Sequence, residues 1–257
     1  MFPRLFTIGG FTLHTYGALV AIGVGAGIWL SARLARRRGL DPSAIIDLGV
    51  WMCVAGVAGS KLLMFLEDPH DFFTMATLRA AGVFYGGFLA AVGTFVWFVR
   101  SRRLPLLSTA DCYVPGLALG HAIGRLGCFA AGCCWGRQCA LPWAVTFTNP
   151  YAHEIVGVPL GAPLHPAQLY ESAVLLAISA TLLVVFQRSA FDGQAFSAYL
   201  VLYGAARFLL EYTRDLSQDP VFFNLVSLSQ IIALLLIPAG VAIWMSNRTA
   251  AARAAHA

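Results

Sequence analysis

The chain has 257 residues, of which 59% are hydrophobic and 11% charged. Soluble domains carry about 25% charged residues, so this composition excludes an ordinary water-soluble protein and predicts one polytopic domain in a lipid bilayer. The net charge of +5 does not indicate a nucleic-acid partner, because the arginines cluster in short segments between apolar stretches, as membrane orientation requires.

Seven apolar stretches are long enough to cross a bilayer, which takes about 20 residues as a helix. In chain order they are residues 11–33, 43–66, 82–100, 107–131, 167–187, 194–213 and 223–245. The fourth and the sixth contain charged residues. The sequence therefore predicts an all-α polytopic membrane protein with about seven transmembrane helices.

The arginines that flank these stretches predict the orientation of the chain. With seven spans, ten of them fall on one face of the membrane: Arg33, Arg36, Arg37, Arg38, Arg100, Arg102, Arg103, Arg188, Arg248 and Arg253. An excess of basic residues in short loops marks the cytoplasmic face. We therefore expect the N-terminus outside and the C-terminus in the cytoplasm.

The longest segment between the predicted spans, residues 135–166, is rich in proline and glycine and contains the alternating stretch WAVTFT at residues 143–148. Alternation of this kind is typical of a short strand, and the proline and glycine indicate turns. Because the segment follows the fourth span, we expect a small outer cap with short β elements.

Several ionisable residues fall inside or at the edges of the predicted spans: Asp111, His121, Arg125, Glu171, Arg207 and Glu211. An arginine at the centre of a membrane helix costs about 2.5–3.5 kcal/mol, so intramembrane charges are expected to face partners or polar cavities. Arg125 is the clearest case, since it lies in the apolar, glycine-rich stretch GHAIGRLGCFAAGCCWGR of residues 120–137.

Glycines recur along the fourth span at Gly116, Gly120, Gly124, Gly127 and Gly132. Small residues let membrane helices approach closely, and ordinary helix packing is one interpretation of this spacing. The other interpretation is that the missing side chains leave room for a lipid beside the charged residue of this span.

Tyr203, Arg207, Glu211 and Arg214 are spaced by three or four residues and therefore share one face of the sixth predicted helix. One interpretation is that ion pairs along this face fix helix packing. The other is an anion site, in which Arg207 and Arg125 converge on a phosphate, whose oxygens suit the guanidinium fork. By the predicted topology, an anionic phospholipid of the outer leaflet would fit such a site.

Six ordered motifs resemble the prolipoprotein diacylglyceryl transferases: HTYGALVAIG at residues 14–23, FYGG at 84–87, GRLGCF at 124–129 after Asp111, WAVTF at 143–147, HPAQLYE at 165–171 and YGAARFLLEYTR at 203–214. The resemblance implies one membrane-embedded transferase domain over residues 1–257, multi-pass in the bacterial plasma (inner) membrane, with its active site opening toward the outer leaflet. Such an enzyme moves the diacylglyceryl group of phosphatidylglycerol onto the lipobox cysteine of a prolipoprotein signal peptide. A thioether and glycerol 1-phosphate result, in the first step of lipoprotein maturation.

The resemblance also implies roles for individual residues, and it implies no metal and no cofactor. The catalytic residues would be Arg125, Arg207, Tyr85 and Tyr203. The two arginines would bind the substrate together with Tyr16, Gly86, Gly87, Asp111, Glu211 and Arg214. Negative charge develops on the departing phosphate, where preorganised cations help most.

This chain departs from the family pattern at the proposed base, because Tyr85 stands where a histidine is expected. A tyrosine has a pKa of about 10 and is a poor base at neutral pH unless cations lower that pKa. Three possibilities stay open: Tyr85 acts as an assisted phenolate, another residue such as His121 or His165 acts, or there is no dedicated base. Cys128 and Cys133 stand where many members have asparagine and glutamate, and Lys61 where arginine is common.

Other function classes compete with this reading. A cysteine-based redox or metal protein is suggested by Cys128, Cys133, Cys134 and Cys139, although their spacing is poor for zinc. A disulfide of Cys139 with Cys133 or Cys134 stays open. A lipid or anion transporter would need an alternating-access repeat, which the sequence does not display. A related membrane transferase with a different acceptor is the nearest alternative.

Overall fold

The computed structural model describes residues 2–9, 11–67, 69, 84–215, 221–222 and 226–255. Eight α-helices run through this part of the chain: α1 Thr15–Arg37, α2 Pro42–Glu67, α3 Phe84–Ser101, α4 Leu106–Ala131, α5 Pro150–Val156, α6 Ala167–Gln187, α7 Gln194–Leu210 and α8 Leu228–Ala255. Six short strands pair as antiparallel two-stranded sheets: β1 Arg4–Ile8 with β2 Phe11–His14, β3 Val145–Thr146 with β4 Pro163–Leu164, and β5 Val221–Phe222 with β6 Val226–Ser227.

Six of the eight described helices are long and apolar enough to cross a membrane, namely α1, α2, α3, α4, α6 and α8. The predicted helical, multi-pass architecture is thereby confirmed. The sixth predicted span corresponds to α7, which has 17 residues and a length of about 26 Å at 1.5 Å per residue. It is not among the six, so the count of seven spans and the orientation of the termini stay predictions.

The beginning of the chain differs from the prediction, because residues 11–14 form β2 rather than the first turn of a membrane helix. In the hairpin, Ile8 pairs with Phe11. Gly9, which directly follows β1, has φ +54°, a conformation that glycine adopts without steric cost. The first helix therefore begins at Thr15.

The chain divides into two compact units, residues 31–109 and residues 1–30 with 110–257. In the smaller unit, α2 and α3 cross at glycines. A Cβ added at Gly86 would lie 2.4 Å from the carbonyl oxygen of Gly59, and one added at Gly87 would lie 2.8 Å from that of Gly56. The FYGG motif is thus part of a close helix crossing.

In the larger unit, α1 and α4 also meet at backbone contact. A Cβ at Gly120 would lie 2.7 Å from the carbonyl oxygen of Gly23, and one at Gly27 would lie 2.8 Å from that of Gly116. By contrast, a Cβ at Gly124 would have nothing within 4 Å. Ordinary helix packing therefore accounts for Gly116 and Gly120, whereas Gly124 borders open space and room for a lipid beside Arg125 stays a prediction.

Side-chain hydrogen bonds tie α4 to α6 and α7. Ser172 Oγ donates to the carbonyl of Ala122 at 2.9 Å. The buried Asp111 carboxylate accepts hydrogen bonds from the backbone N–H groups of Gly193 at 2.7 Å and Phe196 at 2.8 Å, at the start of α7. Asp111 therefore caps this helix, where a carboxylate also complements the helix dipole.

Residues 135–166 contain the short β elements that the sequence predicts, β3 and β4, but also an unpredicted helix, α5. Its start is formed by Asn149, whose Oδ1 accepts the N–H of Tyr151 at 3.0 Å, followed by proline at the first helical position. Phe147, Val158 and Leu164 are buried around this helix in a small core of their own. The side of the membrane on which this cap lies stays a prediction.

Candidate active site

Arg125 on α4 has a carboxylate partner inside the helical bundle. Its Nη2 lies 3.0 Å from Oε1 of Glu171 in the first turns of α6, and Nε2 of His121 lies 3.5 Å from the same oxygen. The exposed fraction is 16% for the Arg125 side chain and 5% for that of Glu171. Glu171 is not among the site residues predicted from sequence, where it appears only as one of the intramembrane ionisable groups that are expected to have partners.

Arg207 and Glu211 form the second buried pair, one helical turn apart. Nη1 of Arg207 donates to Oε2 of Glu211, and the exposed fractions of the two side chains are 9% and 1%. Tyr203 lies one turn earlier on the same helix, and Arg214 follows the 3₁₀ turn Glu211–Thr213. The prediction that all four residues share one helix face is wrong for Arg214, which lies beyond the helix in extended backbone bridged to Gly136.

The two ion pairs belong to one electrostatic cluster. The ring of His121 on α4 lies 6.0 Å from that of Tyr203 on α7, and Tyr199 stacks on Tyr203 with ring centroids 5.5 Å apart. Arg125 and Arg207 both act electrostatically on His121 and on Tyr203. His121 and Tyr203 thus lie within electrostatic reach of both arginines, and the joint binding of a phosphate by Arg125 and Arg207 stays a prediction.

Arg125 keeps one donor unused. Its Nε is buried, and in the described part of the chain it has no hydrogen-bond partner. Leaving a buried donor unsatisfied costs about 1–3 kcal/mol. Gly124, the preceding residue in the chain, borders open space. An anion that entered here would satisfy a donor that the protein leaves unpaired.

Gly136 and Arg137, at the end of the glycine-rich stretch of residues 120–137, are hydrogen-bonded to the chain at His165 and beside Arg214. The N–H of Arg137 donates to Thr213 O at 3.1 Å, and the N–H of Gly136 donates to His165 O at 3.1 Å. A Cβ at Gly136 would lie 2.5 Å from Thr213 O, so glycine is needed for this approach. His165 lies at the same junction, where partial burial and the Arg137 guanidinium lower its pKa.

Three thiols gather at the C-terminal end of α4. The sulfur atoms of Cys128, Cys133 and Cys134 lie within 4.8 Å of one another. Hydrogen bonds within this thiol trio lower the pKa of Cys134 and raise that of Cys133. All six cysteines of the chain lie in the described part and are free thiols, and Cys139 is outside the trio.

The remaining predicted site residues lie in different surroundings. Tyr16 on α1 is within electrostatic reach of Arg125 and of the thiol trio. Asp111 is at the capped start of α7. Tyr85 packs edge-to-face on Phe84, with ring centroids 5.7 Å apart. With Gly86 and Gly87 it belongs to the smaller unit, and its participation in the arginine site stays a prediction.

The fold and the site define a multi-pass membrane protein with two buried arginine–carboxylate pairs among its helices. The model of the prolipoprotein diacylglyceryl transferase family matches residues 3–246. The chain belongs to this family. The match spans both compact units and contains every residue of the arginine cluster.

Similar proteins cover nearly the whole chain. A phosphatidylglycerol–prolipoprotein diacylglyceryl transferase of Clostridium tetani is 30% identical over 253 residues, covering 96% of this chain and 98% of that protein. The protein of the same name from Finegoldia magna is 31% identical, with 92% of each chain covered. That of Gloeobacter violaceus is 32% identical, with 97% of this chain and 94% of that protein covered.

Proposed function

We propose that this protein is a transferase that moves the diacylglyceryl group of phosphatidylglycerol onto the cysteine thiol of a prolipoprotein. The observation that carries the proposal is the arginine cluster: Arg125, with a buried and unpartnered Nε, stands within one electrostatic environment with Arg207. Family membership and the names of the relatives support the identity of the two substrates.

In this reaction the thiolate sulfur attacks the glyceryl carbon that carries the phosphate. A carbon–sulfur bond forms, the carbon–oxygen bond to phosphate breaks, and the bonding pair leaves with glycerol 1-phosphate. Negative charge therefore grows on the phosphate oxygen in the transition state. Guanidinium groups of Arg125 and Arg207, each already paired with a carboxylate, stabilise that charge without further reorganisation.

Glu171 and Glu211 act on the reaction through the arginines. Each carboxylate holds one guanidinium in a fixed orientation. Neither carboxylate is the nucleophile, which is the acceptor thiolate. Each partially neutralises its arginine, which limits the cost of burying two cations in the membrane. The phosphate then binds to donors that are already ordered.

The acceptor thiol must lose its proton, since the thiolate is the nucleophile. We assign Tyr203 to hydrogen bonding at the phosphate, because it lies within electrostatic reach of both arginines. Tyr85, in the position of the family histidine, is proposed to assist the acceptor thiol. His121 and His165 are the competing candidates, and replacement of each separates the three.

We further propose a location and a topology for the enzyme, and its remaining substrate contacts. The enzyme would lie in the bacterial plasma membrane as one domain with seven spans, its site open to the outer leaflet. The remaining substrate contacts would come from Tyr16, Gly86, Gly87 and Arg214, whereas Asp111 and Glu211 would support the site indirectly, through the capped start of α7 and through Arg207. A lipobox peptide would enter from the side of the cap, residues 135–166, which is the face where signal peptides are exported.

The test is a transfer assay with purified protein, phosphatidylglycerol in mixed micelles and a lipobox peptide. We expect the peptide to gain the mass of a diacylglyceryl group, together with stoichiometric release of glycerol 1-phosphate. The matched control is the same peptide with serine in place of the lipobox cysteine, which is expected to stay unmodified. Absence of the thioether product with the cysteine peptide, from protein that is folded and monodisperse, would refute the proposal.

A further inference from the structure

The thiol trio defined above is formed by the way α4 ends. The N–H of Cys133 donates to the carbonyl of Cys128 at 3.1 Å, and the N–H of Gly132 donates to that of Phe129 at 3.3 Å. With Gly132 at φ +83°, this is a Schellman turn, which brings the third residue from the helix end into contact with the second residue beyond it. Here those two residues are both cysteines.

The third thiol is added by an unusual backbone conformation. Cys134 has φ +58°, in the left-handed region that residues with a side chain rarely adopt. This conformation turns the chain back and sets its sulfur within 4.8 Å of the other two. The surrounding structure must compensate for it, since such a residue costs about 1–3 kcal/mol.

The turn is held from a neighbouring helix. Nε2 of the buried Gln168 on α6 donates to the carbonyl of Cys133 at 2.7 Å. Beyond the trio, the N–H of Gly136 is bonded to His165 O. The three sulfur atoms therefore stand in a preformed arrangement that both ends of the loop maintain.

We propose that Cys128, Cys133 and Cys134 bind one thiophilic metal ion, a soft cation of the Zn²⁺, Cd²⁺ and Cu⁺ class. Three thiolates are the donor set that such ions prefer. In a tetrahedral site with metal–sulfur bonds of about 2.3 Å, the sulfur atoms lie about 3.8 Å apart. The observed separations are within 4.8 Å, so small side-chain rotations complete the site.

The charge balance favours this assignment. Binding of a divalent ion releases three protons and forms three metal–sulfur bonds, which leaves a complex with one negative charge. Arg125 and Arg214 are both within electrostatic reach of Cys134 and stabilise that charge. A fourth coordination position stays available for water, as in open zinc sites.

The test is a titration of the reduced, purified protein with Cd²⁺. Binding is monitored by the ultraviolet sulfur-to-cadmium charge-transfer absorption, and the metal content of the protein is measured after desalting. We expect one Cd²⁺ per chain. Cys133→Ser and Cys134→Ser are each expected to bind at least about tenfold more weakly, because each removes one of three ligands. Cys139→Ser, the same substitution at a cysteine outside the trio, is expected to bind as the unaltered chain does.

A second readout needs no variant. Bound Cd²⁺ should protect Cys128, Cys133 and Cys134, but not Cys139, from alkylation by a maleimide, as located by peptide mass spectrometry. No stoichiometric binding by the unaltered chain, equal weakening in Cys139→Ser, or protection outside the trio would each overturn the proposal. Both readouts are independent of transferase activity, so a failure of the metal-binding proposal can be distinguished from a failure of the proposed function.

Discussion

Glu171 offers the sharpest test of how the arginine site is organised. In the unaltered chain, Nη2 of Arg125 lies 3.0 Å from Oε1 of Glu171. Replacing Glu171 with glutamine keeps an oxygen in this position but removes the negative charge. The contact is an ion pair, since Oε1 of Glu171 has no hydrogen-bond partner in the described part of the chain. Such pairs contribute up to about 1 kcal/mol when exposed and about 1.5 kcal/mol or more when desolvated, so we expect Glu171→Gln to take about 1–1.5 kcal/mol from the orientation of Arg125.

That energy predicts the kinetic effect. If Glu171 acts by holding Arg125, a loss of about 1.4 kcal/mol lowers kcat/KM about tenfold. Glu171→Ala removes the partner altogether and leaves a buried guanidinium unpaired, at a cost of about 3–5 kcal/mol. For this variant we expect a decrease of more than about a hundredfold. The measurement is kcat/KM for transfer from phosphatidylglycerol to a lipobox peptide.

Ser172→Ala is the matched control, because it changes the next residue and removes another α6-to-α4 contact, the 2.9 Å hydrogen bond to Ala122. It should lower the stability by about 1 kcal/mol and leave kcat/KM within about twofold, since the bond it removes touches no guanidinium. Unchanged or faster transfer by Glu171→Gln would refute the positioning role. Equal losses in Ser172→Ala and Glu171→Gln would show that only helix packing is being measured.

Three further predictions concern other parts of the chain. Gly120→Ala should destabilise the protein by about 1–3 kcal/mol in thermal unfolding, because its Cβ would meet the carbonyl of Gly23. The control Gly124→Ala, with open space around it, should unfold as the unaltered chain does. Equal stability of the two variants would contradict the described helix crossing. Asp111→Asn should lower stability by about 1–2 kcal/mol, because an amide cannot accept both backbone hydrogen bonds as the carboxylate does; an unchanged unfolding temperature would exclude the capping role. Tyr85→Phe should strongly reduce kcat, and an unaltered rate and pH profile would show that the Tyr85 hydroxyl takes no part in thiol activation.

The membrane helices were predictable because their apolar length is a direct consequence of the bilayer. The fifth predicted span, residues 167–187, coincides with α6. Short local structure was less predictable. The hairpin before Thr15 was hidden by its apolar residues, and α5 was missed although Asn149 followed by proline is a helix-start signal.

The candidate site was predictable for a similar reason. A charge inside an apolar helix is costly, so Arg125 and Arg207 stand out from composition alone. Their carboxylate partners differ in this respect. Glu211 is one turn from Arg207 and can be paired by spacing, whereas the Arg125–Glu171 pair depends on how α4 and α6 are rotated about their axes, which no linear pattern encodes. The thiol trio depends in the same way on one Schellman turn and one left-handed residue.

The central claim is that Arg125 and Arg207 together stabilise the departing phosphate. The most direct measurement is the single-turnover rate of thioether formation in Arg125→Ala and Arg207→Ala, with Arg125→Ala/Glu171→Gln included so that no carboxylate is left buried without its partner. Each variant is expected to lose at least about 10²–10³-fold in rate while it still inserts in the membrane. Transfer at the unaltered rate by any of these folded variants would contradict the claim.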